Sequence, residues 1–342
     1  MNLKSEIIRF SKEIGIDKVG FASADPFLKE KEILQERKSK QLISPFEEQD
    51  MEARCNPQRL LDGAKTIICF AIGYLIEPSV KKEFSSVDIP EGEISKYAQI
   101  KDYHNVLNEK LIRIADFISE KEPGKFKIMV DTGALIERAA AARAGIGWIG
   151  ENTCLFTPEF GSWVFLGEIL TDIEIESDDP AETYCDKCGR CIAACPTGAL
   201  IEPFRLNPHK CLSYITQMRG QIPKEFRETL GNMIFGCDIC QDVCPCNKDV
   251  NIPNHQEFFP DVSLEKNLEK LAILSKQDFN RMFKPAAAGW RGRNIIRRNA
   301  ICALGNIRYK GAIKTLEYLT TDPSEIIREQ ASWSLRQIIQ SV

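Results

Sequence analysis

The sequence predicts a multidomain protein of the α+β class, on the basis of three observations. Patterns typical of strands and helices alternate through residues 1–175. Cysteines then crowd into residues 176–255, and apolar side chains recur at helical spacing within residues 256–342. A chain of 342 residues is long enough for two or three domains. We therefore predict three domains with these boundaries.

The first domain contains alternating strand and helix patterns. Residues 64–76 and 125–130 are apolar, β-branched runs typical of buried strands, and residues 162–170 form a third candidate. Residues 102–119 have helical spacing, and residues 1–20 have the pattern of an amphipathic helix. This alternation argues for an α/β or α+β domain, of which we predict the α/β class.

The middle domain contains two cysteine motifs. Residues 185–196 read CDKCGRCIAACP, the C-x2-C-x2-C-x3-C-P spacing of bacterial two-cluster ferredoxins, in which the fourth cysteine ligates the other cluster. Residues 237–245 contain only three cysteines, and an upstream cysteine at 211 can supply the missing ligand. The spacing predicts two 4Fe–4S clusters, one held by Cys185, Cys188, Cys191 and Cys244 and the other by Cys195, Cys211, Cys237 and Cys240.

A zinc site is the alternative, because paired C-x2-C motifs also bind zinc. Zinc does not require the longer ferredoxin run followed by a second Cys-Pro motif, so clusters are the better interpretation. Five cysteines remain outside this set. We expect Cys69 and Cys302 to be core residues, Cys246 to lie beyond the completed ligand set, and Cys55 and Cys154 to serve packing.

The last domain has a helical pattern. Residues 293–307, 311–319 and 321–339 carry apolar side chains at three- and four-residue intervals. The stretches IIRRNAICALGN and IIREQASWSLRQ align with each other and resemble HEAT-type repeats. Two copies make a short array, which must pack on another part of the chain.

Charge is distributed unevenly behind a net charge of −4. Residues 171–183 contain six acidic and no basic side chains, and residues 281–310 contain eight basic and no acidic ones. The basic segment can bind a polyanion. With no signal-peptide pattern and no run long enough to span a membrane, we expect a cytoplasmic protein without a membrane partner. With no coiled-coil or dimer motif, we expect a monomer.

Two clusters deliver electrons to an acceptor, and the size of the first domain indicates that it holds this acceptor. No G-x-G-x-x-G follows a predicted strand, because AGIGWIG at 144–150 comes after an alanine-rich helix, so a dinucleotide site is not supported. Asp131 is the most suggestive acid, since it ends the strand at 125–130. Its local pattern favours a simpler role as the N-cap of the following helix.

Together these segments resemble the epoxyqueuosine reductase family. The resemblance is carried by the ferredoxin motif, the helical tail, YAQIKDYHNVL (97–107), VDTGALIERAAAARAGIGWIGENTCLF (130–156), GSWVFLGEIL (161–170) and FGCDICQDVCP (235–245). Members of that family are cobalamin-dependent iron–sulfur enzymes. They reduce epoxyqueuosine to queuosine in the anticodon loop of tRNA, the last step of queuosine synthesis. Their N-terminal domain resembles that of the reductive dehalogenases.

The resemblance implies a mechanism and a set of cofactor contacts. The clusters would reduce cobalamin to Co(I), which reacts at the epoxide carbon, while Asp131 protonates the developing alkoxide. Burial against the corrin would raise the pKa of this carboxyl group. Cobalamin contacts carry over to Arg54, Tyr97, Asp131, Asn152 and Ser213, each of which also has a structural interpretation.

The histidines give little sign of a cobalt ligand. None of His104, His209 and His255 lies in a D-x-H-x-x-G stretch, which suits a cobalamin without a histidine lower ligand. We expect His104 to lie on an ordinary helix face. The family usually has glycine where this chain has Ile100. The resemblance therefore does not identify which side chain of this stretch faces the cobalt.

The resemblance also implies contacts with tRNA. Arginine is suited to phosphate and to stacking on unpaired bases. The candidates are Arg291, Arg293, Arg297 and Arg298, with Lys210 and Arg219 beside a predicted cluster ligand. A solvated face of a helical repeat is the alternative for each arginine.

Two other functions stay open, and the electron donor is unidentified. The first is a reductive dehalogenase-like corrinoid enzyme that acts on a small molecule. The second is a non-catalytic electron-transfer ferredoxin, which leaves the first domain without a role.

Overall fold

The computed structural model describes residues 2–76 and 89–340. The strands in this part of the chain are β1 (Lys18–Ser23), β2 (Thr66–Gly73), β3 (Glu93–Ile94), β4 (Phe126–Met129), β5 (Trp148–Ile149), β6 (Leu155–Phe156), β7 (Val164–Thr171), β8 (Leu200–Glu202), β9 (Arg205–Leu206) and β10 (Met233–Phe235). The α-helices are α1 (Leu3–Glu13), α2 (Leu28–Ser39), α3 (Met51–Cys55), α4 (Tyr103–Lys121), α5 (Glu137–Arg143), α6 (Arg190–Ala194), α7 (Leu212–Gln217), α8 (Lys224–Arg227), α9 (Ile239–Asp242), α10 (Leu268–Ala272), α11 (Lys276–Asp278), α12 (Arg293–Asn306), α13 (Ile313–Leu319) and α14 (Glu325–Ile339).

A four-stranded sheet in the order β1-β2-β7-β4 forms the centre of the first domain. The strands predicted at 64–76, 125–130 and 162–170 are confirmed as β2, β4 and β7. Each neighbouring pair is antiparallel. The α/β class is therefore wrong for this domain, which is α+β, because an apolar run predicts a strand but not its direction.

Helices cover both faces of the sheet. On one face Ile68 of β2 packs in a core with Leu107 of α4. On the other face Cys69, the next residue of β2, packs in a core with Ala140 of α5. This alternation follows from the two-residue period of a strand. The helix predicted at 102–119 is α4, and Asp102 is its N-cap.

The cysteine-rich segment consists of loops and short elements that pack on the first domain. Strand β10 pairs in parallel with β3. The Asp238 carboxylate accepts hydrogen bonds from the Ser95 hydroxyl and from the Lys96 N–H. The Ser162 hydroxyl donates to the Gln241 side chain at 2.9 Å. These contacts fix the second cysteine motif against the sheet domain.

The three helices predicted in the last domain are confirmed as α12, α13 and α14. Helix α12 packs against α14 and α10 around a core that includes Leu304 and Ile327. Their classification as HEAT-type repeats stays a prediction. None of the helices in residues 2–76 and 89–340 is long and apolar enough to cross a membrane.

Two of the arginines predicted to contact tRNA are buried between helices. Arg298 is fully buried on α12, and its guanidinium donates to four carbonyl groups, those of Ile215, Thr216, Met218 and Gly220. Arg297 is also buried and pairs with Asp322 at 2.6 Å. Their predicted contact with tRNA is wrong, because the Arg297 guanidinium binds partners within the last domain and that of Arg298 attaches this domain to α7.

We expect the substitution Arg298→Met to destabilise the protein. It removes the donor of the Ile215, Met218 and Gly220 carbonyl groups, whereas the Thr216 carbonyl keeps the Asn299 amide as a donor. Each unsatisfied buried group costs about 1–3 kcal/mol. Urea unfolding of the anaerobic holoprotein should give a free energy of unfolding lower by at least about 3 kcal/mol. Arg336→Met, at an exposed position of α14, is the control and should change it by less than about 0.5 kcal/mol. Equal stabilities would contradict the anchoring role.

Candidate active site and cluster sites

An open cavity of about 350 Å³ lies where β2 and β4 end and β7 begins. Its apolar wall includes the aromatic rings of Tyr74, Tyr97, Tyr103 and Phe165. Its polar lining consists of Asp131, Glu137, Arg138, Cys154, Ser162 and Gln241. A few polar groups among aromatic walls are typical of a ligand-binding or active site.

Asp131 projects into this cavity from the loop that follows β4. Its backbone has φ of +51°, a left-handed conformation that Asp tolerates better than most residues. Its side chain is 55% exposed. The interpretation as a helix N-cap is wrong, since α5 begins at Glu137 with Ile136 in the N-cap position. The carboxyl group is therefore free of a capping role.

His104 is a site residue that the sequence did not predict. It lies in the first turn of α4, and its Nε2 is 3.2 Å from Oδ2 of Asp131. Its Nδ1 is 2.6 Å from Oδ1 of Asp102. These hydrogen bonds, that of Asp102 first, raise the pKa of His104 to about 9. The D-Y-H triplet at a helix start was the available signal, but its partner Asp131 lies 27 residues away.

Two further carboxyl groups lie close to Asp131. Glu137 is half-buried, with its Oε1 shielded from solvent, and it accepts a hydrogen bond from the Asp131 N–H. Desolvation, with the Asp131 charge adding, raises the pKa of Glu137 to about 8. Glu168 of β7 is fully buried, and neither of its carboxyl oxygens has a hydrogen-bond partner. Burial first, then the charges of Glu137 and Asp131, raise the pKa of Glu168 well above its usual range. At neutral pH both glutamates are therefore mainly uncharged acids.

The predicted ligands of one cluster line a single cavity. They are Cys185, Cys188, Cys191 and Cys244. Cys246 lies on the same wall, where its thiol contacts that of the preceding cysteine, Cys244, and the carbonyl oxygen of Tyr184 at 3.5 Å. The structure thus brings together four cysteines that are up to 59 residues apart in the chain, as one cluster would require.

The predicted ligands of the other cluster form a second group, made of Cys195, Cys211, Cys237 and Cys240. Burial raises the pKa of Cys237 to about 12, and the neighbouring sulfurs of Cys211 and Cys240 add to this shift. Cys195 acts in the same way on Cys211 and Cys240, so the four sulfurs are neighbours. The Ala199 N–H donates to Sγ of Cys195 at 3.3 Å, a contact that tunes iron–sulfur centres. Within the described residues, no group of three or more His, Cys, Asp or Glu is arranged to hold a single metal ion.

Cys154 connects the large cavity to the second cysteine group. It lines the cavity, and its thiol lies beside that of Cys240. The Asn152 amide donates to the Cys240 carbonyl at 3.3 Å and holds this loop in place. Cys154 therefore does more than the packing expected of it. The remaining cysteines are buried as expected, namely Cys55, Cys69 and Cys302.

Of the residues predicted to contact cobalamin, only some lie at the cavity. Tyr97 lines it beside Asp131, and the Ser213 hydroxyl contacts the Tyr97 hydroxyl from behind. Arg54 instead pairs with Glu47 at 2.8 Å, and Asn152 is 4% exposed. Neither of these two side chains lines the cavity, because each is committed to another contact.

Three of the six basic residues predicted to contact tRNA lie at the surface near α7. Lys210 and Arg219 are exposed. Arg291 is partly buried, and its Nε donates to the Gln217 carbonyl at 2.7 Å. Its guanidinium stacks over the rings of Phe46 and Trp290, at 5.1 and 4.5 Å from their centroids. Arg293 is partly buried and donates to the carbonyl of residue 274 at 3.1 Å.

Two families of known proteins match parts of the chain. A family described as "4Fe-4S double cluster binding domain" matches residues 184–247, which confirms a two-cluster domain in the middle of the chain. A family described as "Epoxyqueuosine reductase QueG, DUF1730" matches residues 54–132. A double-cluster domain beside an acid-lined cavity defines an iron–sulfur oxidoreductase.

Similar proteins over the whole length define the family. The epoxyqueuosine reductase of Bacillus anthracis is 43% identical over 341 residues, which cover 98% of this chain and 89% of the relative. The chain belongs to the epoxyqueuosine reductase family.

Solved structures of relatives agree with this assignment. One is an epoxyqueuosine reductase with an epoxyqueuosine-modified tRNA-Tyr stem loop, at 41% identity and a TM-score of 0.92 over 98% of this chain and 90% of that chain. Another is the Bacillus subtilis enzyme with its catalytic Asp loop swung out of the active site, at 40% identity and a TM-score of 0.91 over the same shares. The expected relation to reductive dehalogenases stays a prediction, since a solved dehalogenase gives a TM-score of only 0.41.

We expect Glu168→Gln to change how stability depends on pH. The Glu168 carboxyl group stays protonated in the folded state. In the unfolded chain the same group ionises above about pH 4.3. The wild type therefore loses stability as pH rises from there towards the folded pKa. The melting temperature of the variant relative to the wild type should rise steadily between pH 5 and pH 8. Glu120→Gln, at an exposed position of α4, should show no such trend, and a constant difference for Glu168→Gln would refute the assignment.

Proposed function

We propose that this protein reduces epoxyqueuosine to queuosine in the anticodon loop of tRNA, at the cavity lined by Asp131. One observation carries the proposal: the same cavity borders a carboxylic acid and, through the contact of Cys154 with Cys240, the second cysteine group. Reductive removal of an oxygen atom needs protons and electrons at one place. Membership of the family supports the substrate, and a relative has been solved with an epoxyqueuosine-modified stem loop.

Cobalamin is the cofactor that the family resemblance implies, and the cavity suits part of such a group. The flat rings of Tyr97, Tyr103 and Phe165 offer apolar walls to a planar macrocycle. We infer that Tyr97, supported by Ser213, would hold the cofactor beside Asp131. Bound cobalamin would supply a strongly reducing cobalt centre fed by the clusters.

Asp131 supplies the acid. Expulsion of an unprotonated alkoxide from a carbon is costly, and a carboxyl group within reach lowers this barrier. The Asp131 side chain is more than half exposed in this structure. We therefore infer that the bound cofactor and tRNA exclude water from it during the reaction. The solved relative with a mobile catalytic Asp loop supports this role, because Asp131 also lies on a loop.

The two cysteine groups stand in series between the surface and the cavity. The first includes the exposed Cys188. Its Cys191 lies close enough to Cys240 of the second group for the two sulfurs to interact, and Cys240 contacts Cys154 in the cavity wall. We infer that electrons enter from an unidentified donor at the first cluster and leave towards the cavity from the second.

We infer that tRNA binds a surface of basic and aromatic side chains near α7. Lys210 and Arg219 are exposed there, and Arg291 stacks with Phe46 and Trp290. Such a surface binds phosphates and stacks on the unpaired bases of a loop. The cytoplasmic location, the monomeric state and the HEAT-type repeats remain predictions, and neither a small-molecule dehalogenase nor a bare electron carrier is favoured by any contact described above.

We expect Asp131→Asn to lower the rate of conversion of epoxyqueuosine-tRNA by about 10²–10⁴-fold, because the amide cannot donate an acidic proton. Iron content and tRNA affinity should stay unchanged. The assay is anaerobic turnover with reconstituted protein, with Asp116→Asn at an exposed position of α4 as the matched control. Full activity of the Asp131 variant would rule out the assigned acid.

We expect Cys211→Ser to bind about four iron atoms where the wild type binds about eight, because it removes one ligand of the second cluster. Cys246→Ser is the matched control, since Cys246 lies in the wall of the first site but outside the predicted ligand set. It should keep both clusters. Iron analysis and the cluster absorbance of anaerobic protein measure the difference, and the opposite pattern would overturn the ligand assignment.

A further inference from the structure

The reaction consumes more protons than Asp131 carries. When an epoxide is reduced to an alkene, its oxygen leaves as water, a C=C bond forms, and two electrons and two protons are consumed. A single carboxyl group donates one proton and must be protonated again before the second C–O bond breaks. A second proton donor must therefore lie within reach of Asp131.

His104 has the geometry for this task. Its Nε2 lies 3.2 Å from Oδ2 of Asp131, and its Nδ1 lies 2.6 Å from Oδ1 of Asp102. Asp102 is itself fixed as the N-cap of α4, where it accepts the backbone N–H of His104. The imidazole ring stacks on Tyr103 at 4.2 Å between centroids. The histidine side chain is 29% exposed, so it can take up a proton from solvent.

We propose that His104 is a relay residue that protonates Asp131 a second time within each turnover, an inference that rests on the proposed reduction of epoxyqueuosine. Asp131 first gives its proton to the epoxide oxygen as one C–O bond breaks. The imidazolium then passes its Nε2 proton to the Asp131 carboxylate and keeps its Nδ1 proton on the hydrogen bond to Asp102. Asp131 donates again as the second C–O bond breaks, and the oxygen leaves as water. Both electrons come from the external donor through the two clusters.

The charges around the ring keep it protonated. The ionisable groups that face His104 are Asp102 at the start of α4, Asp131 after β4, Glu137 at the start of α5, and the stacked Tyr103. Hydrogen bonds to Asp102 and then Asp131 raise the pKa of His104 to about 9, so the ring carries its second proton at neutral pH. Glu137 binds the Asp131 N–H, and the Asp131 carboxyl group contacts the Tyr103 hydroxyl as well as the histidine.

A chemical rescue experiment tests the relay. His104→Ala should lower the anaerobic turnover of epoxyqueuosine-tRNA by about 10²-fold and leave iron content and tRNA affinity unchanged. Added imidazole should restore much of the rate. Pyrazole, which has the shape of imidazole but is not protonated near neutral pH, should restore none.

A second variant separates relay from structure. In the wild type the rate should fall above about pH 9, where His104 loses its proton. Asp102→Asn keeps a side chain that caps a helix but removes the charge, so this fall should move towards the ordinary histidine value of about 6.5.

The outcomes are distinct. Equal rescue by both additives, or an unchanged pH profile in Asp102→Asn, would overturn the relay. A reconstituted wild type that does not convert the tRNA would overturn the proposed function, and the relay with it.

Discussion

Reduction of a carbon–oxygen bond requires electrons and protons at the same atoms, and the contact between Cys154 and Cys240 is what lets this fold provide both. Cys154 lines the cavity into which Asp131 projects, and its thiol touches a predicted ligand of the second cluster. The carboxyl group comes from the end of β4, whereas Cys240 comes from α9, more than 100 residues later. The remaining packing brings these two parts of the chain to one cavity.

The position of Cys240 beside the cavity depends on contacts that hold the cysteine-rich segment in place. It has few regular elements of its own, and much of its folding free energy must come from bound metal. Asp238 joins it to the first domain through Ser95, and Gln241 does so through Ser162. Arg298 also fastens the last helices to α7 of this segment. A cluster site held by contacts to both neighbouring domains can keep a fixed distance to the cavity, as efficient electron transfer requires.

Local patterns in the sequence predicted much of this arrangement. Apolar runs predicted β2, β4, β7 and the helices of the tail, and cysteine spacing predicted two ligand groups whose members come together in the structure. Strand direction, the buried partners of Arg298 and the relation of His104 to Asp131 depend on residues far apart in the chain. A single sequence does not contain those distances. Arginine-rich segments mislead for the same reason, since a guanidinium that binds carbonyls within the protein has the same local sequence as one that binds phosphate.

In the proposed mechanism, cluster electrons and the Asp131 proton meet in one cavity. A single turnover of pre-reduced, anaerobic protein with epoxyqueuosine-tRNA, in which cluster oxidation and queuosine formation are followed together, would test this coupling. We expect two electrons to leave the clusters for each queuosine formed, with the same time course. Product that forms while both clusters stay reduced would contradict it.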